Sequence, residues 1–190
     1  YLGKWETYYL HDGFARNDTL YGAAVNQGVL TVIDVTLKSA PQLLATKSTP
    51  NQFTHNCWLS DDGKTVFTTD ELPGAYIAAY DVSDLSNITE LDKIRTLPNT
   101  GVIPHNVHVY GNYLVTSYYT SGLNIVDATY PDLLVETGFY DTSPNSGGGY
   151  TGAWGAYPYL PSGHILVTDM QTGLFVLSSD YTPAARLHGT

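Results

Sequence analysis

Thr54-His55-Asn56-Cys57-Trp58 returns, with changes, as Pro104-His105-Asn106-Val107-His108, and more weakly as Leu10-His11-Asp12-Gly13-Phe14. Each opens a short run that reads as a β-strand. Each is followed by the same landmarks: a tight turn, a second strand, a glycine, and a strongly apolar third strand. The chain reads as one supersecondary unit written several times.

The glycine sets the alignment. Gly28 leads Val29–Asp34, Gly74 leads Ala75–Asp81, Gly122 leads Leu123–Asp127, and Gly173 leads Leu174–Ser178, at intervals of 46, 48 and 51 residues. A period of about 40–50 residues with several strands per unit is the signature of a β-propeller. Each unit divides into strands A to D. Strand A is His11–Ala15, His55–Leu59, His105–Tyr110 and Trp154–Tyr159. Strand B is Leu20–Val25, Thr65–Asp70, Tyr113–Tyr118 and Ile165–Asp169. Strand C is the run after the glycine, apolar enough to be covered on both faces. Strand D is Leu43–Lys47, Thr89–Arg95 and Leu134–Tyr140. The A–B turns carry Asn17-Asp18, Gly63, Gly111 and Gly163, residues that tolerate the positive φ of a hairpin.

The expected architecture is all-β, about four four-stranded blades over residues 9–47, 53–96, 103–141 and 152–178, within a single propeller domain or segment. Leu2–Tyr8 is expected as a strand D of a preceding or closing blade. The fourth unit has no convincing strand D of its own. Two arrangements follow: a four-bladed ring closed by the N-terminal strand, or a run of blades from a longer propeller. The second is favoured because the chain begins in mid-strand. Helix signals are nearly absent, and Asp81–Leu91 reads as a polar corner.

Composition narrows the function classes. The chain has 190 residues, 16 Tyr, 3 Trp and a net charge of −10 from 18 acidic and 8 basic residues. That sign repels phosphate backbones, which argues against nucleic acid as a partner. A charged content of 14% with abundant Tyr, Thr, Ser and Asn suits a secreted or cell-surface β-protein. Cys57 is the only cysteine, so there is no internal disulfide, and it reads as a small buried residue. No apolar run approaches the roughly 20 residues of a membrane span. Asn17-Asp18-Thr19 and Asn87-Ile88-Thr89 fit the N-glycosylation pattern.

Thr31-Val32-Ile33-Asp34-Val35 and Asn124-Ile125-Val126-Asp127 resemble the repeat of the LVIVD β-propellers, which include the secreted bacterial choice-of-anchor B proteins. Gly152-Ala153-Trp154-Gly155-Ala156-Tyr157 and the His-Asn phrases are also similar to that family. The resemblance covers about residues 2–177. It implies a propeller fold and export, often with a C-terminal anchoring region, and no agreed biochemical activity. The fourth unit departs from the pattern, with Ser178 where the others have Asp34, Asp81 and Asp127. Those three aspartates read as acceptors for backbone N–H groups in the C–D corner.

His11, His55 and His105 share one place in the repeat, and Trp154 holds it in the fourth unit. Strand A of a propeller lines the central channel, so radial repetition brings these residues to one channel mouth. Neutral imidazoles suit Zn, Cu or Fe. The plainer reading pairs each histidine with a neighbouring blade's backbone. Asp70, Glu71 and Asp169 close strand B and are candidates for Ca²⁺, against a solvated turn. The Asn145–Tyr150 loop is glycine-rich and reads as a flexible connection or a lid. Tyr118, Tyr119, Tyr157 and Tyr159 are candidates for a glycan- or protein-binding surface, with blade packing as the alternative.

No nucleophile elbow or phosphate loop occurs. The reading is a non-enzymatic binding or structural module, with a protein or glycan partner, self-association, or assembly with further blades. The alternative is a metal-dependent, oxidoreductase-like propeller enzyme using the histidine cluster.

Overall fold

The computed structural model describes residues 1–186. Fifteen strands form four antiparallel sheets, and there is no helix among the described residues. Sheet 1 holds β1 (Asp12–Arg16), β2 (Thr19–Ala24), β3 (Val29–Asp34) and β4 (Gln42–Ser48). Sheet 2 holds β5 (Thr54–Leu59), β6 (Thr65–Asp70), β7 (Ile77–Asp81) and β8 (Thr89–Ile94). Sheet 3 holds β9 (Val107–Tyr110), β10 (Tyr113–Ser117), β11 (Leu123–Asp127) and β12 (Val135–Tyr140). Sheet 4 holds only β13 (Ala153–Tyr157), β14 (Ile165–Asp169) and β15 (Gly173–Leu177). Within each sheet the strands lie side by side in chain order. The innermost strands pack in series, β1 on β5, β5 on β9 and β9 on β13. This is a β-propeller, as the repeat predicts.

The repeat extends to backbone detail. Gly28, Gly74, Gly122 and Gly173 all have positive φ, between 66° and 95°. An L side chain resists that conformation, which explains the marker glycine. The register between strands C and D breaks at Val32/Ile33, Ala79/Tyr80 and Ile125/Val126, the same bulge in three sheets. Asp34, Asp81 and Asp127 accept the N–H of Thr36, Ser83 and Thr129 at 2.7–2.8 Å, the corner bonds expected of them.

Three apolar clusters join neighbouring sheets. Tyr21, Leu30 and Val32 of sheet 1 meet Leu59, Val66 and Tyr80 of sheet 2. Phe67, Ile77 and Ala79 of sheet 2 meet Val107, Val109 and Leu114 of sheet 3. Val115, Leu123 and Ile125 of sheet 3 meet Ala156, Ile165 and Val167 of sheet 4. None of these clusters joins sheet 4 to sheet 1.

The N-terminal stretch corrects an expectation. Residues Leu2–Tyr8 form no strand. They lie as an irregular strap on the face of sheet 1 turned away from sheet 2. Tyr8 hydrogen-bonds Thr31 side chain to side chain at 2.9 Å, and Leu10 covers Gly22 so closely that a Cβ there would meet it at 3.0 Å. Ile33 is fully buried beneath this strap. The strap therefore neither closes a ring with sheet 4 nor supplies its fourth strand. Tyr118 and Tyr119, offered as surface aromatics, are buried instead, and their packing takes precedence.

Candidate functional site

The inner strands bring the four predicted mouth residues into one row. The His11 and His55 rings lie 4.3 Å apart between centroids, His55 and His105 4.7 Å, and His105 and Trp154 4.4 Å. Three residues further along, Phe14, Trp58 and His108 form a second tier, with Trp58 4.8 Å from Phe14 and 4.7 Å from His108, and Tyr159 continues it 6.1 Å from His108.

β-Bulges aim the mouth side chains. In sheet 2 the register breaks between Thr54 and Asn56, so His55 is the extra residue. In sheet 4 it breaks between Ala153 and Gly155, which makes Trp154 the extra residue. In sheet 3 the N–H of His105 bonds Ser117 while the N–H of Ser117 bonds Asn106, two residues facing one. A bulge turns a side chain out of the normal alternation, here toward the axis. Sheet 1 repeats the pattern: the N–H of His11 bonds Ala23 at 2.8 Å while Asp12 is the register partner of Ala23, so His11 is again the extra residue, though it lies exposed.

The neighbouring-blade pairing expected of the histidines holds for two of them. His55 Nδ1 donates to the carbonyl of His105 at 3.3 Å, and His105 Nδ1 donates to the carbonyl of Trp154. A carbonyl only accepts, so both rings carry their proton on Nδ1. His11 Nδ1 instead pairs with the Tyr9 hydroxyl at 3.1 Å. Asn56 adds a further tie: its Nδ2 donates to Asp12 at 2.8 Å and its Oδ1 accepts the N–H of Val107 at 2.9 Å.

The free Nε2 atoms face Glu71, which follows β6. His55 Nε2 lies 3.4 Å and His105 Nε2 3.9 Å from its carboxylate. One donor atom from each of these three residues falls within 4.8 Å of the others. The converging set is thus His55, Glu71 and His105, with Glu71 in the role that sequence reasoning gave to His11. Tyr119 donates its hydroxyl to Glu71, and burial raises the Tyr119 pKa so that it stays protonated. Burial pushes His55 below the ordinary imidazole range, against the opposing charge of Glu71. Burial and the neighbouring His55 push His105 down to about 4. Both rings are neutral at neutral pH, the form in which imidazole binds a metal. The recess they open into measures about 250 Å³ and is also lined by His11, Asp12 and Asn106.

The other candidates fall elsewhere. Asp70 accepts the Thr49 hydroxyl and the N–H groups of Asn51 and Phe53. Asp169 likewise takes the Thr142 hydroxyl and the N–H groups of Gln171 and Thr172. These two carboxylates tie the D–A loops, and Glu71 points away from them to the mouth. The Asn145–Tyr150 loop lies beside the site, with the Tyr150 hydroxyl donating to the Glu71 carbonyl at 3.3 Å. Asn17 and Asn87 are exposed in turns, where a glycosyl group has room. Cys57 is buried, donates to the Tyr21 carbonyl and has its thiol pushed up to about 12 by burial.

Comparison with known proteins supports the same architecture. The LVIVD repeat matches residues 104–142. No curated protein matches the chain. The periplasmic gluconolactonase PpgL of Pseudomonas aeruginosa superposes with a TM-score of 0.73 at 15% identity, over 90% of this chain and 50% of that one. The computationally designed Ika4 protein gives 0.69 at 10% identity, over 94% and 97%. The Cps50 (Swd1) β-propeller domain of Myceliophteria thermophila gives 0.65 at 13% identity, over 88% and 52%. The chain spans about half the length of the gluconolactonase and of the Cps50 domain. These likenesses establish a propeller repeat protein. At such identities they concern the fold alone.

Proposed function

We propose that this chain is a non-enzymatic binding module that works outside the cytoplasm, at the cell surface, and engages protein through the open face of sheet 4. A single observation carries the reading. Leu123 and Ile125 of sheet 3 are 2% and 6% exposed, whereas their repeat equivalents in sheet 4, Leu174 and Val176, are 62% and 61% exposed. Leu166 pairs with Val176 and Tyr157 with Leu166, so both share that face. It is built like the three faces that meet a neighbouring blade, and it meets none within the described residues. Burying a Leu or Val side chain contributes about 1.5–3 kcal/mol, so covering this face is strongly favoured.

The occupant is a second copy of the chain. The complementary face of sheet 1 is already covered by the N-terminal strap, so a head-to-tail joint is blocked. Two-fold pairing of sheet 4 with sheet 4 covers both exposed faces at once. Export is supported by the low charged content and by the likeness to LVIVD proteins. The test is solution mass against concentration. The wild type is expected at twice its 20.7 kDa, more firmly in salt, which screens the −10 charge of each copy. The Leu174→Lys, Val176→Lys double variant is expected at 20.7 kDa. A wild type that stays single at millimolar concentration, or a double variant that still pairs, refutes the occupant. Capture of a different propeller blade by the wild type would replace it.

A further inference from the structure

We propose that His55, Glu71 and His105 are the protein ligands of a divalent first-row transition ion, with zinc as its representative. The inference is independent of the face on sheet 4. Both Nδ1 atoms donate to carbonyls, so both Nε2 atoms present lone pairs. Those lone pairs face a carboxylate at 3.4 and 3.9 Å, acceptor against acceptor, in a largely buried place. Three acceptors held together repel unless a cation lies among them.

The donor set selects the class of ion. Two imidazoles and one carboxylate suit borderline ions such as zinc, whereas calcium and magnesium need more oxygen than one carboxylate offers. Ligand atoms about 2.1 Å from a tetrahedral ion lie about 3.4 Å from one another. The His55–Glu71 pair already has that separation; the three donor atoms together lie within 4.8 Å, so the set closes on an ion by a movement of roughly one ångström.

An outer layer of hydrogen bonds is also in place. Ligating histidines characteristically donate their second N–H to a carbonyl, and ligating carboxylates are themselves hydrogen-bonded. Here the carbonyls of His105 and Trp154 and the hydroxyl of Tyr119 fill those roles. Asn106 contributes a second observation. Its Oδ1 is buried beside the recess and has no hydrogen-bond partner, an acceptor placed for a water on the ion. With three protein ligands a fourth position opens to the recess, where a small anion or neutral ligand fits.

The experiment titrates chelator-stripped protein with Zn²⁺ by calorimetry, and with Co²⁺ by visible absorption. The wild type is expected to bind one ion per chain, and Co²⁺ to give the bands of nitrogen and oxygen ligation. Glu71→Gln keeps an acceptor for Tyr119 and is expected to weaken Zn²⁺ binding by at least about tenfold. Its metal-free melting temperature reports whether it folds. His164→Ala, at an exposed histidine far along the chain, is expected to bind as the wild type does. Leu174→Lys, Val176→Lys protein is expected to bind equally well, so the two readings fail separately. No saturable binding by the wild type overturns the site. Binding unchanged in folded Glu71→Gln also overturns it, as adventitious histidine binding. Should Glu71→Gln not fold, His55→Gln is read by the same two titrations.

Discussion

Asn56→Ala removes the side chain that ties three inner strands together. Asn56 accepts the N–H of Val107 in sheet 3 and donates to the Asp12 carboxylate in sheet 1. It is buried, and so is Val107. After truncation the Val107 N–H has no partner, which costs about 1–3 kcal/mol. A hydrogen bond to a charged group, worth about 1.5–3 kcal/mol, is lost as well. Because Asp12 is only half-buried and water can replace part of its bond, the net loss is set at about 3 kcal/mol. For a chain of this size that lowers the melting temperature by about 6–12 °C. Urea denaturation supplies the free energy and calorimetry the melting point. A double exchange sharpens the test. Asn56→Asp alone sets a carboxylate against Asp12 and is expected to do as badly as alanine. Asn56→Asp combined with Asp12→Asn swaps donor and acceptor and is expected to recover more than half of the loss. An alanine variant within about 0.5 kcal/mol of the wild type, the range of an ordinary surface change, would refute the reasoning. So would a double variant no better than Asn56→Asp alone.

Three other perturbations test separate parts of the structure. Burial pushes His108 down to about 4, with Asp12 opposing weakly. The unfolded chain takes up that proton near pH 6.5 and the folded chain only near 4, so stability falls as pH drops through this window, by about 3 kcal/mol; His108→Phe should flatten the pH dependence of urea unfolding there. Arg186 reaches the buried Asp127 at 2.9 Å, and burial alone would raise that carboxyl, but this bond and those from Thr129 and Ala184 hold it below the usual range. Arg186→Ala is expected to cost about 3 kcal/mol in chemical denaturation by leaving a buried charge half-satisfied. At Gly122, with φ of 75°, a Cβ would lie 2.2 Å from the Tyr140 carbonyl, so Gly122→Ala should cost about 3 kcal/mol or more. Gly111→Ala, where nothing lies within 4 Å, should cost only about 1–2 kcal/mol on the same measurement.

Much of this was legible from spacing. The strands follow from apolar runs and turn residues: Thr65–Asp70, Leu123–Asp127 and Ile165–Asp169 are strands to the residue. Marker glycines were visible because positive φ leaves few alternatives to glycine. The row of His11, His55, His105 and Trp154 followed from radial repetition alone. What stayed hidden depends on contacts between blades. Glu71, named from the sequence only as a candidate for Ca²⁺, occurs in one unit, so no repeat pattern sets it against the histidines; that role appears once the end of β6 packs beside Tyr119, just past β10. His11 matches the repeat, down to the extra residue in its strand, yet stays outside the converging set: its ring is exposed and its Nδ1 pairs with the Tyr9 hydroxyl. Leu2–Tyr8 carries the composition of a strand, but its half-buried aromatics are used to cover sheet 1. Tyr8 and Trp5 lie over its face where a strand would pair edge-on.

Inner strands that repeat around an axis turn His55 and His105 side by side. Long-range ¹H–¹⁵N correlation of the imidazoles, with NOEs between them, tests this directly. At pH 7 both rings are expected as Nδ1–H tautomers, with cross-peaks joining His55 to His105 and His105 to Trp154. Nε2–H tautomers at both positions, with no contact between the rings, would contradict it.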